Sequence, residues 1–311
     1  MSHHDDPATE RAGDPAAYGS DRVSDPFLEH RNLLFTVAYE MLSSAADAED
    51  VVQETWLRWA QVDQAGVRDA RAYLVRIVTR QALNRIRTLQ RRRETYVGPW
   101  LPEPLLTAPD VAEDVELADS VSTAMLMVLE TLSPTERAVF LLREVFGFEY
   151  AEIAAAVDKS PAAVRQVASR AGRAVRAQRP EPVPTGETEQ VLQRFLEATS
   201  SGDLRPLMDL MAPDVVMFSD GGGLKQAALR PIHGPDKVVR WMIGVFSRFP
   251  GELTYDLVTL NGQPALRLFG DGVLDVVATL RVEGGLVTAL YLVRNPEKLS
   301  RAEGEAAPLS R

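Results

Sequence analysis

The sequence predicts two all-α domains followed by an α+β domain, and three observations carry that reading. Residues 26–179 run almost throughout in helical periodicity, interrupted once by a cluster of prolines. Within them, Phe148 to Arg179 holds two short amphipathic stretches around a tight turn, the pattern of a helix-turn-helix. Beyond a second proline-rich stretch at 180–184 the pattern changes to helices and then alternating strands. Asn261-Gly262 and Gly284-Gly285 between those strands are hairpin signals.

The whole chain sets bounds. At 311 residues it has room for two or three cored domains, and 45% hydrophobic with 25% charged content is ordinary for globular protein. Absence of cysteine excludes disulfides, thiolate metal sites and thiol catalysis, and fits a reducing cytoplasm. No apolar run is long enough to span a membrane, and the N-terminus lacks the apolar core of a signal peptide. Residues 1–24 carry no periodicity and are expected to be a disordered tail, with His3-His4 of no consequence.

The first helical domain, 25–95, is expected to hold three helices. Phe27 to Ser43 buries Leu33, Leu34, Val37 and Met41; Ala48 to Gln61 carries Val51, Val52, Trp56 and Trp59; Asp69 to Arg93 buries Tyr73, Leu74, Ile77 and Ile86. Arg68 to Arg93 contains nine arginines and one acid, a balance of +8 on a chain of net charge -10. One-sign density beside an aromatic residue points to a nucleic-acid surface. A linker at 96–113 follows, with prolines at 99, 102, 104 and 109, though Trp100, Leu101 and Leu105 are too apolar for a fully solvated one.

The second helical domain, 114–179, opens with a helix over Asp114 to Thr131. Ser133-Pro134-x-Glu136 is a capping box for the next helix, Pro134 to Phe146. Glu149 to Val157 is the first helix of the helix-turn-helix, Asp158-Lys159 its turn, and Ser160-Pro161 the start of the second helix. Lys159 to Arg179 contains six bases and no acid, a phosphate-binding footprint. After a stiff linker at 180–186, the third domain, 187–300, has helices at 188–199, 204–211 and 235–249, a short strand at 214–218, and an antiparallel sheet after. A tail, 301–311, completes the division.

These residues together resemble an extracytoplasmic-function (ECF) sigma factor of bacterial RNA polymerase. DAEDVVQETWLRWA at 47–60 is similar to the core-binding stretch of region 2. ARAYLVRIVTRQALNRIR at 70–87 resembles the segment that recognises and melts the -10 element. LSPTERAVFLLREVFGFEYAEIA with AAVRQVASRAGRAV resembles region 4, which reads the -35 element. The remainder is similar to a SnoaL-like cone domain, the C-terminal extension of one ECF group whose motifs appear as WLPEPL at 100–105, DGGG at 220–223 and NPEKL at 295–299. The chain departs from the usual pattern with Tyr73-Leu74 for Trp-Leu, Arg80 and Asn84 further along that helix, and Lys225 one place later than the lysine that follows DGGG.

The resemblance implies a protein that performs no chemistry, needs no cofactor or metal, and has polymerase core and promoter DNA as partners. Polymerase contact is expected from Asp47, Glu49, Asp50, Glu54 and Trp56. Contact with the -10 element is expected from Tyr73, Arg76, Arg80, Asn84 and Arg87, spaced along one helix face. Contact with the -35 element is expected from Arg165, Gln166 and Ser169 at base edges and from Arg170 and Arg173 at phosphate. The C-terminal domain is expected to dock on the sigma regions or their linker, with Trp100, Leu101 and Pro102 meeting Asp220, Gly221, Gly222, Gly223, Asn295 and Pro296; a small ligand in the cone could shift that docking. Asp220 is expected on a flexible, exposed loop. Two other readings stay open: a helix-turn-helix regulator independent of polymerase, and a SnoaL-type isomerase or hydrolase drawing on Asp220, Asp256, Asp271, Asp275, His233 or Tyr291.

Overall fold

The computed structural model describes residues 25–107, 115–179, 185–201, 204–246, 251–304 and 309–310. The expectations for residues 1–24 and for 180–184 lie outside them.

Helices α1 (Pro26–Leu42), α2 (Ala45–Trp59) and α3 (Ala70–Glu94) form the first bundle. The sequence starts and stops them locally. Asp25 accepts from the Phe27 N–H ahead of Pro26, Ser43 ends α1 in the left-handed region at φ 57°, and Ser44 accepts from the Asp47 N–H to begin α2. Tyr39, Trp59 and Leu74 fill the centre. Trp56, expected to contact polymerase, is 44% exposed. Its neighbour Trp59 takes the core position and packs on Tyr73.

The single helix expected over 114–131 is two, α4 (Val115–Val121) and α5 (Thr123–Leu129). Ser122 breaks it by leaving helical geometry and accepting from the Met125 N–H, since a serine oxygen competes with the backbone for that donor. Helix α6 (Pro134–Phe140) has the capping box, then widens into a π turn over Leu141–Val145. Helices α7 (Tyr150–Val157) and α8 (Pro161–Arg176) meet around Asp158, which is left-handed at φ 55°. Ile153, Val164, Val167 and Ala168 are buried between them.

Both helical domains share one core, so they stand as a single body. At their junction Glu130, at the end of α5, receives Arg93 from α3 and Arg137 from α6, and the Ser43 hydroxyl donates to it at 2.8 Å. Burial raises the Glu130 pKa, but Arg137 and Arg93 outweigh it and hold the group at about 2.

The C-terminal domain comprises α9 (Thr185–Ser201), α10 (Leu204–Asp209), α11 (Pro235–Phe246) and strands β1 (Met211–Asp220), β2 (Ile232–His233), β3 (Leu253–Leu260), β4 (Gln263–Gly270), β5 (Val273–Glu283) and β6 (Leu286–Val293). The sheet order is β2-β1-β6-β5-β4-β3. It is not purely antiparallel: β1 runs parallel to β6, because three successive hairpins return the chain beside β1 in its own direction. One sheet face closes over α9 and α11 in a cone. The other face packs on Leu101 of the 96–107 connection and on Ala124 and Met127 of α5. Burial on both faces explains why β5 reads as a nearly continuous apolar run.

Candidate functional site

Asp220 ends β1 inside the junction between domains and is fully buried, contrary to the exposed loop expected of Asp-Gly-Gly-Gly. The glycines are there for close approach. A Cβ on Gly221 would stand 2.3 Å from the Lys225 carbonyl oxygen, and one on Gly222, at φ 61°, 2.4 Å from Asn295 Nδ2. The Asp220 carboxylate accepts from the Tyr96 hydroxyl at 2.5 Å, the Leu101 N–H at 2.9 Å, the Gly222 N–H at 3.1 Å and Lys298 Nζ at 2.7 Å. Asn295 Nδ2 donates to the Tyr96 oxygen at 2.9 Å, and Lys298 Nζ also donates to the Leu101 carbonyl at 2.6 Å. That ammonium lies 3.4 Å from the Trp100 ring centroid. Burial pulls the Lys298 pKa down to about 8, against the upward pull of Asp220. Burial and the bond to Asp220 push the Tyr96 hydroxyl up.

The structure therefore brings Trp100, Leu101, Asp220, Gly222 and Asn295 into one cluster. Pro102 is buried beside it, Gly221 is buried in its turn, Gly223 is exposed over Val97, and Pro296 is exposed at the start of a 3-10 turn. Tyr96 and Lys298 belong to it too. Lys298 stood within the Asn-Pro-Glu-Lys-Leu stretch, but a lysine in sequence reads as solvated until its burial is seen.

A second junction was hidden in the sequence. Asn261, in the β3–β4 turn, is buried, and its Oδ1 accepts from the Leu105 N–H at 3.0 Å. Its Nδ2 donates to the Val121 carbonyl at 3.0 Å and to the Tyr39 hydroxyl, which itself donates to the Glu103 carbonyl at 2.7 Å. The Glu103 carboxylate accepts from the Ala45 N–H at 2.8 Å, at the start of α2. Asn-Gly announces a turn in the sequence, not the groove that the turn enters.

On α2, Trp56, Asp50 and Glu54 are exposed, Glu54 accepting from Gln81 at 2.8 Å. Asp47 is not on that open face: it is buried and held by Arg85, which also bonds Asp50 at 2.9 Å. Glu49 pairs with Arg301. On α3, Tyr73 is half-buried under the Arg76 guanidinium, and Arg87 donates to Asn84 at 3.2 Å. Arg80 is turned toward the other domain, donating to the carbonyls of Ala155 at 2.9 Å and Ala156 at 3.4 Å in α7. On α8, Arg165, Gln166, Ser169, Arg170 and Arg173 share an exposed face. Arg165 lies over Tyr150, Arg170 approaches Glu136 at 3.5 Å, and Arg173 reaches the Ser169 carbonyl at 3.4 Å.

The acid–base candidates do not converge. His233 is on β2 and Asp256 on β3, opposite edges of the sheet, and Asp256 is paired with Arg267. Asp271 accepts from the Glu252 N–H, Asp275 sits between Lys225 and Arg294, and Tyr291 stacks on Phe218.

Comparison with known proteins agrees with this geometry. The family model for Sigma-70 region 2 matches residues 27–92, and that for Sigma-70 region 4 matches residues 122–174. The chain is 37% identical over 299 residues to the ECF RNA polymerase sigma factor SigJ of Mycobacterium tuberculosis, covering 90% of this chain and 95% of that one. It is 30% identical over 289 residues to the probable ECF RNA polymerase sigma factor SigI of that species, covering 92% and 97%. The crystal structure of SigJ is similar with a TM-score of 0.72 at 34% identity, covering 88% of this chain and 97% of that one. With the acidic-aromatic α2, the arginine-rich α3 and the helix-turn-helix all in place, the chain belongs to the ECF RNA polymerase sigma factors, which bind polymerase core and direct it to promoter DNA.

Proposed function

We propose that this sigma factor rests in a closed form, in which the C-terminal domain grips the 96–107 connection and keeps the two helical domains together, and that promoter use requires the grip to loosen. The observation that carries the reading is the buried Asp220 carboxylate, which bonds Tyr96 and Leu101 of the connection and Lys298 of its own domain. Two contacts add support. Arg80, assigned to the -10 element, is spent on α7, and Glu49, assigned to polymerase, is spent on Arg301. In the open complex Trp56, Asp50 and Glu54 meet polymerase, Tyr73, Arg76, Arg80, Asn84 and Arg87 hold the melted -10 strand, and the exposed face of α8 reads -35. The C-terminal domain regulates and does not catalyse, and the protein acts in the cytoplasm. Run-off transcription with purified core polymerase tests this on full-length protein and Asp220→Ala. A change of several-fold in transcript, with core binding retained, is expected; equal transcript from both proteins defeats the proposal.

A further inference from the structure

We infer that the open edge of β3 pairs with the same edge of a second copy of this chain, antiparallel about a twofold axis at Tyr255, giving a reversible dimer with one continuous sheet. β3 is the last strand of the sheet and joins β4 in an unbroken ladder from Leu253↔Gly270 to Leu260↔Gln263. Among the described residues its other side is taken at one end only. There Leu106 bridges Leu260, the Thr107 N–H donates to the Thr259 carbonyl at 3.1 Å, and the Asn261 N–H donates to the Leu105 carbonyl at 2.8 Å. The edge thus already accepts an antiparallel strand, and that contact fixes which residues do so. Thr259 turns its carbonyl outward, and backbone direction alternates along a strand. Leu257, Tyr255 and Leu253 therefore present their N–H and C=O groups along the same open edge.

The same three residues carry exposed apolar side chains, Leu253 at 40%, Tyr255 at 57% and Leu257 at 51%. Tyr255 and Leu257 stand opposite Leu268 and Leu266 of β4, so the stripe prolongs the apolar face of the cone past its last strand. Natural sheet edges are blunted by lysine, proline or a bulge, and 253–258 has none of these. Register selects the occupant. A twofold at Tyr255 sets Leu253 against the partner's Leu257 and Tyr255 against the partner's Tyr255. Apolar then meets apolar at each position, with all these residues on the hydrogen-bonding side in both copies. Thr254 faces the partner's Asp256, so no like charges oppose each other; an axis at Asp256 would set the two aspartates together. Pairing stops short of Thr259, where 105–107 already lies, so the dimer and the grip on the connection use adjoining stretches of one edge. A pairing this short is smaller than a permanent interface, so the dimer forms and dissociates with concentration.

Sedimentation velocity of the full-length protein, from low to high micromolar concentration, tests the pairing. The mass is expected to climb from one copy toward two and to stop there. Tyr255→Lys puts two ammonium groups at the axis and should weaken the dimer about tenfold or more, while the thermal transition persists because the side chain is exposed. The chain has no cysteine, so one can be placed at will. Thr254→Cys would lie about 7–8 Å from its counterpart across the axis, and a short bis-maleimide should join it into covalent dimers. Lys237→Cys, exposed on α11 beside β1 and away from the β3 edge, should not be joined. Parent protein that stays monomeric at every concentration, a dimer indifferent to Tyr255→Lys, growth beyond two copies, or equal joining of the two cysteine variants each overturns the inference.

Discussion

Glu40 lies fully buried on α1, one carboxyl oxygen 2.7 Å from Ser120 Oγ and the other without a partner. Burial raises its pKa to about 8, against the lowering effect of the Ser120 bond. At neutral pH the carboxyl is therefore mostly protonated, and the Ser120 hydroxyl has both it and the Leu117 carbonyl, at 2.9 Å, within hydrogen-bond reach as acceptors. A carboxyl raised in this way binds its proton more tightly folded than unfolded. Stability is then full below the usual carboxylate range and falls as pH rises toward about 8. Glu40→Gln should be near neutral at about pH 4, below the usual carboxylate range, and raise the thermal midpoint progressively as pH rises from there to about 8. Differential scanning calorimetry across that range checks it, and a parallel pH slope in both proteins counts against it.

At the scale of elements, the β3–β4 hairpin is pinned by its turn. Asn261→Ala leaves the Leu105 N–H and Val121 carbonyl buried without partners, at about 1–3 kcal/mol each. Gly262 has φ 68°, and a Cβ there would stand 2.5 Å from Ala118 Cα, so Gly262→Ala must move backbone in α4 or withdraw the hairpin. Both variants should speed hydrogen exchange in 101–107 and 117–121 more than in β5 and β6; uniform acceleration would mean plain unfolding instead. On α8 the split between reading and holding is testable. Arg165→Ala should lose about 1–3 kcal/mol of preference for consensus -35 DNA over scrambled DNA. Arg173→Ala should weaken both DNAs alike and flatten the salt dependence. Gel-shift titrations decide it, with identical losses for the two variants as the adverse outcome.

For the whole molecule, three regions meet at 96–107, and Asp220, Asn261 and Glu103 are among the polar groups that fasten it. Asp220→Ala leaves Lys298 buried opposite the Trp100 ring with its carboxylate gone, and one unpartnered buried charge destabilises by about 3–5 kcal/mol. Small-angle scattering of that variant should show a larger radius of gyration than the parent. An unchanged radius would place the hold elsewhere, in the shared core around Glu130 or in the contact of Arg80 with α7.

The sequence by itself determined the helices, the hairpins, the helix-turn-helix and the segregation of positive charge onto α3 and α8, because periodicity, capping residues and turn residues act within a few positions of one another. It also marked Trp100, Asp220 and Asn295 as belonging together, through motifs and not through any local physics. Only the tertiary structure decided that Asp220 is a buried carboxylate beneath its glycines, that Asp47 is sealed by Arg85 while Trp56 stays open, and that Asn261 crosses a domain boundary. Burial and partnership of a polar side chain depend on residues as far as 222 positions away, as Tyr39 is from Asn261, and no local pattern encodes them.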